Sequence, residues 1–169
     1  MSSDERGGLE PELSRKTVVG LFCGAAFHHA ALARVPGGDV AGLCDWEVRV
    51  LTLARLFFPE EGVVKEMDIR AENMRALEAD VGLAVPAADA WVHVNAGLPC
   101  QDGSKVNHRR KPAQLREHVA TFFIFIRRLQ AKYRKVTWFA ENVACPEFVG
   151  TMKSLFPGAT FVMLNHASF

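Results

Sequence analysis

None of the four cysteines, Cys23, Cys44, Cys100 and Cys145, forms a Cys-x-x-Cys pair with another. Their wide spacing argues against a zinc ribbon and against a disulfide scaffold, so reduced thiols are the simpler expectation. The apolar runs are short and interrupted, and the first residues contain no apolar stretch typical of a signal peptide. We therefore expect a soluble, intracellular protein.

An excess of charge of either sign is also missing, because 20 Lys and Arg are balanced by 19 Asp and Glu. A net charge of +1 does not by itself indicate nucleic-acid binding, so any such surface must be local. The 169 residues are 49% hydrophobic, which suits one globular domain with a sizeable core. We predict a loose tail over residues 1–15 and a single domain over 16–169.

Short β-type runs alternate with stretches of helical spacing along this domain. The strands are predicted over residues 16–22, 40–44, 62–67, 90–95, 136–140 and 160–164. The helices are predicted over residues 27–35, 46–58, 71–80, 112–133 and 145–156. Such alternation predicts an α/β fold, a doubly wound and mostly parallel sheet with helices on both faces.

Chemically useful side chains follow several of these strands. Cys100 follows the apolar run 90–97 that contains the fourth predicted strand, and Glu141 comes directly after the 136–140 strand. In open α/β sheets ligands bind outside the carboxyl ends of the strands, so a thiol and a carboxyl group are expected to face each other across a cleft there. Cys100 and Glu141 form a candidate pair of nucleophile and proton donor.

A nucleotide site is the second candidate at this edge. Gly24 allows close backbone approach in the turn after the first strand, Asp45 can accept from ribose hydroxyls and Asp68 from an adenine amine. Phe22 and Trp46 can sandwich an adenine ring. On spacing alone, however, both aromatic residues are better assigned to the core, and a glycine turn is weak evidence by itself.

A thiol and a carboxylic acid beside an adenosyl cofactor suit attack on an electron-poor ring such as cytosine. Sulfur would add to C6 and make C5 nucleophilic enough to take a methyl group. Glu141 would bind ring nitrogen N3 or donate to it, and burial would favour its protonated form. The base must first leave its stack.

Five segments resemble, in order and approximate spacing, the motifs of the cytosine-C5 DNA methyltransferases. They are Leu21-Phe-Cys-Gly24, Asp45-Trp46, Asp68-Ile69, Gly97-Leu-Pro-Cys-Gln101 and Glu141-Asn-Val143. The similarity runs from about residue 17 to the last residue. Its most specific part is Pro-Cys-Gln followed, after a helix and a strand, by Glu-Asn-Val, since each tripeptide alone is weak.

The resemblance implies a Rossmann-like, S-adenosylmethionine-dependent enzyme that methylates cytosine in DNA, with no metal. Cys100 would be the nucleophile and Glu141 would assist at the cytosine. Cofactor would be held by six residues: Phe22, Gly24, Asp45, Trp46, Asp68 and Ile69. The substrate side would include Pro99 and Gln101, with Arg109 and Arg110 contacting phosphates, although a solvated loop with scattered charge explains those two arginines equally well by composition.

Several positions depart from the family pattern. Ala25 and Ala26 follow Gly24 where another glycine is usual, which predicts weaker cofactor binding. Leu98 replaces a proline, and Asp102-Gly103-Ser104 replaces Pro-Phe-Ser. After Met163-Leu-Asn-His166 no Gln-x-Arg-x-Arg follows, so the fold is expected to be incomplete at the C-terminus, with an open sheet edge that a second polypeptide would complete.

Three alternatives stay open beside the DNA enzyme. Phe27-His28-His29-Ala30 and Asp45 resemble the tRNA-methylating branch, which predicts a tRNA substrate. An inactive cofactor-binding remnant is favoured by the missing arginines and disfavoured by Cys100 and Glu141. A thiol hydrolase would need a histidine base, and no histidine shows a recognisable pairing with Cys100.

Overall fold

In a computed structural model of the chain, the structure describes residues 16–22, 29–31, 34, 38–60, 62–69, 75–79, 90–99, 112–142 and 145–162. These residues contain one sheet whose paired strands all run parallel, in the order β3-β2-β1-β4-β5. The strands are β1 (Lys16–Leu21), β2 (Gly38–Asp45), β3 (Val64–Glu66), β4 (Trp91–Gly97) and β5 (Lys135–Glu141). The α/β class predicted from the alternation is confirmed.

Three longer helices accompany the sheet within the described ranges. They are α1 (Val48–Phe57), α2 (Pro112–Lys132) and α3 (Pro146–Leu155), and each lies within two residues of its predicted bounds. Residues 29–31 and 75–79 are also helical. Among the helices of these ranges, none combines the length and the apolarity needed to cross a membrane.

The helices begin where a side chain can accept from the first free backbone amides. Glu47 caps α1, since its Oε1 accepts from the Arg49 amide at 3.3 Å. Cys145 caps α3, since its Sγ accepts from the Phe148 amide at 3.4 Å, and Pro146 then occupies the first turn, where no amide donor is required.

Alternation along the strands divides the core between the two faces of the sheet. On one face Val19, Val92 and Val94 pack with α2 and α3, whose buried side chains include Phe122 and Met152. On the other face the buried residues form a smaller cluster, namely Leu43, Leu51, Ala54, Phe58 and Val64. Strands buried on both faces and a buried stripe on each helix thus fix the layers, and parallel pairing aligns the carboxyl ends of the strands along one edge.

The strand predicted over residues 160–164 is not confirmed. Residues 160–162 are described and belong to no strand, and residues 163–164 lie outside the described residues. After α3 the Ala159 amide donates to Phe156 O at 3.0 Å, and Val162 is 76% exposed. β-branched and aromatic residues favour strands only where a neighbouring strand pairs with them, and these residues have none in the sheet described.

We expect Gly20→Ala to destabilise the fold by about 1–3 kcal/mol, because an added methyl group would overpack the core. Gly20 lies in β1, and a Cβ there would overlap the buried imidazole of His29 and lie 2.6 Å from Leu43 Cδ2. Urea unfolding followed by far-UV circular dichroism measures the change. Gly42→Ala is the matched control in β2, since nothing lies within 4 Å of its added Cβ. An equal loss of stability in both variants would refute the close packing of Gly20 on His29.

Candidate active site

The ends of β4 and β5 are joined by backbone and side-chain hydrogen bonds. Gly97 pairs in register with Glu141, and the Leu98 amide donates to Glu141 O at 3.2 Å. Asn142 Nδ2 lies 3.0 Å from Leu98 O and 3.3 Å from Pro99 O, so it donates to two consecutive carbonyls. The two segments predicted to face each other, Pro-Cys-Gln and Glu-Asn-Val, therefore begin side by side at one edge of the sheet.

Cys100, Gln101, Arg109 and Arg110 lie outside the described residues, as does Gly24. Their assignments as nucleophile, substrate contacts and cofactor turn stay predictions. Pro99, the half-buried residue directly before Cys100, is described and is fixed through its carbonyl by Asn142. The hydrogen bond from Asn142 to the Pro99 carbonyl therefore fixes the point at which the chain leaves β4, one residue before Cys100.

Glu141 is exposed, contrary to the burial expected for it. It ends β5, the last strand of the sheet on that side, so no further described strand covers its side chain. The carboxyl group therefore stands at an open edge that a planar base can reach from solvent. The burial expected around Glu141 is therefore not found in the chain by itself.

The second strand ends in a buried carboxylate and an exposed indole. Asp45 is 7% exposed and its Oδ1 accepts from the Glu47 amide at 3.0 Å, so this oxygen shapes the turn into α1. Trp46, next in the chain, is 56% exposed, so its assignment to the core is wrong. The Met67 amide donates to Asp45 O at 2.9 Å. Because Trp46 follows Asp45 and Asp68 follows Met67, this hydrogen bond brings Trp46 and Asp68 near each other.

Phe22 follows β1 directly, in a backbone conformation that is rare for a bulky residue. Its φ is 50°, in the left-handed region, and its side chain is buried at 7% exposure. The ring meets His118 of α2 edge-on, with 5.6 Å between centroids and 79° between planes. Assignment to the core is correct for Phe22. Strained backbone of this kind is concentrated at binding and catalytic sites, where surrounding packing maintains it.

An open pocket of about 290 Å³ lies between the segment after β3 and the first half of α2. Its lining residues are Asp68, Ile69, Gln114, Glu117, His118 and Thr121. Ile69 and Thr121 are buried, whereas the carboxylates of Asp68 and Glu117 are exposed. The volume is at the lower end of small-molecule sites, about 300–1,000 Å³, so a small ligand or one part of a larger ligand fits.

The wall formed by α2 was not predicted from the sequence. Gln114, Glu117, His118 and Thr121 follow the spacing i, i+3, i+4 and i+7, which places them on one helical face. A polar face directed toward the sheet edge, on a helix whose other buried residues are apolar, is the signal that would have indicated it. The sequence alone does not predict that this face of α2 lies opposite Asp68 and Ile69.

Two other cysteines, Cys44 and Cys145, are buried free thiols with structural roles. Cys44 is fully buried and its thiol donates to Gly20 O at 3.5 Å, and Cys145 caps α3. Cys23 lies outside the described residues. His93 bonds to Thr137 Oγ1 at 2.9 Å and sits four residues before the end of β4, about 13 Å along the strand, which is too far to serve a thiol at that end.

No group of three or more potential metal ligands occurs among the residues that the structure describes. The chain matches no protein-family model. A search of curated proteins likewise finds no match. The chemistry of the site therefore depends on the residues described above.

Proposed function

We propose that the chain transfers a methyl group from S-adenosylmethionine to C5 of cytosine in DNA, through a covalent bond between Cys100 and C6. The observation that carries the proposal is the joining of the strand ends by Leu98, Asn142 and the carbonyl of Glu141. Neighbouring strands in a sheet are about 4.8 Å apart. These hydrogen bonds therefore support the proposal that the thiol after Pro99 and the carboxyl group of Glu141 act together at neighbouring strand ends.

The pocket beside α2 fits the adenosyl part of the cofactor. Asp68 supplies an acceptor for an exocyclic amine and Ile69 an apolar surface for a ring. Trp46 does not line the pocket, but it follows Asp45, whose carbonyl accepts from the Met67 amide, so its exposed indole offers a stacking face near Asp68. The ends of β3 and β4 are three strand spacings apart, roughly 14 Å. An elongated ligand with its base in the pocket would thus extend along the edge toward Cys100.

The reacting groups of the chain have defined roles in this proposal. The Cys100 thiolate forms a bond to C6, and the ring electrons move toward N3, where Glu141 donates a proton or a hydrogen bond. C5 would then be nucleophilic and would accept the methyl group that S-adenosylmethionine supplies when bound, with S-adenosylhomocysteine as the leaving group. Loss of the C5 proton to a base expels the Cys100 thiolate and restores the 5,6 double bond.

Two partner proposals accompany this function. A tRNA substrate is the alternative to DNA, on the resemblance noted for residues 27–30. A second polypeptide that covers the open side of the sheet is supported by β5, which is unpaired on its outer side in the described sheet, and by Phe139, which is 54% exposed on it.

The test is transfer of a labelled methyl group from S-adenosylmethionine to mixed duplex DNA and to tRNA, with digestion of the product to nucleosides. We expect the label in 5-methylcytosine. Label in DNA supports the main proposal and label in tRNA the alternative. Absence of label in both, also after addition of fractionated extract from the source cells as a supply of a second polypeptide, would refute the proposed activity.

Trp46→Ala is expected to weaken S-adenosylmethionine binding about tenfold, since stacking of an aromatic side chain on a base contributes about 1–3 kcal/mol. Trp46 is 56% exposed, so its truncation should leave the thermal midpoint unchanged. Isothermal titration calorimetry gives the affinity. Leu56→Ala is the control, because Leu56 is 75% exposed in the last turn of α1, at the other end of that helix from Trp46. Equal affinities for the wild type and Trp46→Ala would exclude Trp46 from the cofactor site.

A further inference from the structure

The charge at the pocket is negative on both walls. Asp68 contributes a carboxylate from the segment after β3, and Glu117 contributes one from α2. Both side chains are exposed, so they stand at the mouth, while buried Ile69 and Thr121 form the inner surface. A flat ring can therefore enter with its edge against hydrogen-bonding groups, but whatever is attached to that ring must pass two carboxylates.

Further carboxylates follow along the path that leads away from the pocket. Glu66 ends β3, Asp45 ends β2 and Glu141 ends β5. Among the described residues, the basic residue nearest in sequence to these three carboxylates is Lys65, directly before Glu66, and it is half-buried in β3. A ligand extending from the pocket across the strand ends thus meets an acidic edge.

We propose that Glu117, together with Asp68, makes the pocket selective for adenosyl ligands without phosphate and rejects phosphorylated nucleotides. The inference rests on the proposed function in that the base of the cofactor occupies this pocket. A phosphate carries a charge between −1.5 and −2 at neutral pH and is repelled by each carboxylate. A sulfonium or an amino group is attracted by the same carboxylates. Glu117 is thereby a specificity-determining residue that the sequence motifs do not include.

The size of the effect is limited by solvent. Both carboxylates are exposed, so the effective dielectric constant is high and each unit-charge pair at about 7 Å changes affinity by several-fold at low salt. We expect the wild type to bind adenosine at least about tenfold more tightly than AMP, and Glu117→Gln to reduce that ratio about fivefold. High salt should reduce the ratio in the wild type as well.

Equilibrium dialysis with labelled adenosine and labelled AMP, at low and at high salt, tests the proposal. Measurement at pH 8 keeps AMP fully ionised and keeps ordinary imidazoles, with a pKa of about 6.5, uncharged. Glu60→Gln is the matched control, since Glu60 is an exposed glutamate in the turn before β3, at the opposite end of the strands. Its adenosine to AMP ratio should equal that of the wild type.

Equal binding of adenosine and AMP by the wild type would overturn the inference, as would an unchanged ratio in Glu117→Gln or no binding of either ligand. These outcomes are separable from the proposed function. Methyl transfer combined with equal binding of both nucleotides would refute selectivity alone. Selective adenosine binding without methyl transfer to any nucleic acid would refute the activity alone.

Discussion

Replacing Cys100 by alanine is expected to reduce methyl transfer at least about 1,000-fold, to the background of the assay, because removal of a covalent nucleophile removes the reaction path itself. Affinity for S-adenosylmethionine should stay within about twofold, since the pocket that we propose for the cofactor lies beside α2 and not at the end of β4. Labelled methyl incorporation and calorimetry with the same preparations measure the two effects.

Cys145→Ser is the matched control for the cysteine experiment. The Cys145 sulfur accepts from the Phe148 amide at the start of α3, and a serine hydroxyl fulfils the same capping role. We expect the serine variant to retain transfer within a factor of about two. Full activity of Cys100→Ala would remove the proposed nucleophile, and loss of activity in both variants would indicate a general loss of structure.

Glu141→Gln is expected to lower the turnover of methyl transfer about 10²–10⁴-fold, the usual contribution of a positioned acid or base. The amide can still form a hydrogen bond but cannot donate a proton to N3 as charge develops there. Glu141 is exposed at the end of β5, so the substitution removes no packing and the thermal midpoint should not change. Single-turnover transfer separates the chemical step from binding.

Glu60→Gln serves as control here too, because it removes one exposed carboxylate from the opposite end of the sheet. Its turnover should equal that of the wild type. A Glu141→Gln variant with undiminished single-turnover rate would exclude Glu141 as the proton donor, while leaving the role of Cys100 to be judged from its own variant.

Most of the fold could be predicted because the strands are short, mostly apolar runs and the helices carry apolar residues at helical spacing. The runs around Val18, Leu43, Val94 and Trp138 all lie in observed strands, and the long apolar stripe of residues 112–133 is α2. The run at residues 160–162 has the same composition but no strand, since strand formation also requires a partner at the edge, which composition does not encode.

The site was predictable to the level of strand ends and no further. Parallel strands align their carboxyl ends, so the neighbourhood of Leu98 and Glu141 followed from topology. The exposures of Glu141 and Trp46 depend on what covers the edge of the sheet, and the α2 wall depends on how a helix rotates about its axis. Both are set by packing between elements distant in sequence.

The most direct test of the central claim is covalent trapping with duplex DNA and tRNA in which 5-fluorocytosine replaces cytosine, in the presence of S-adenosylmethionine. Fluorine at C5 cannot leave as a proton does, so the bond between sulfur and C6 persists after methyl transfer. We predict a complex that survives denaturation and whose nucleic-acid adduct maps by mass spectrometry to Cys100. An adduct on another cysteine, or none with either nucleic acid, would contradict the account.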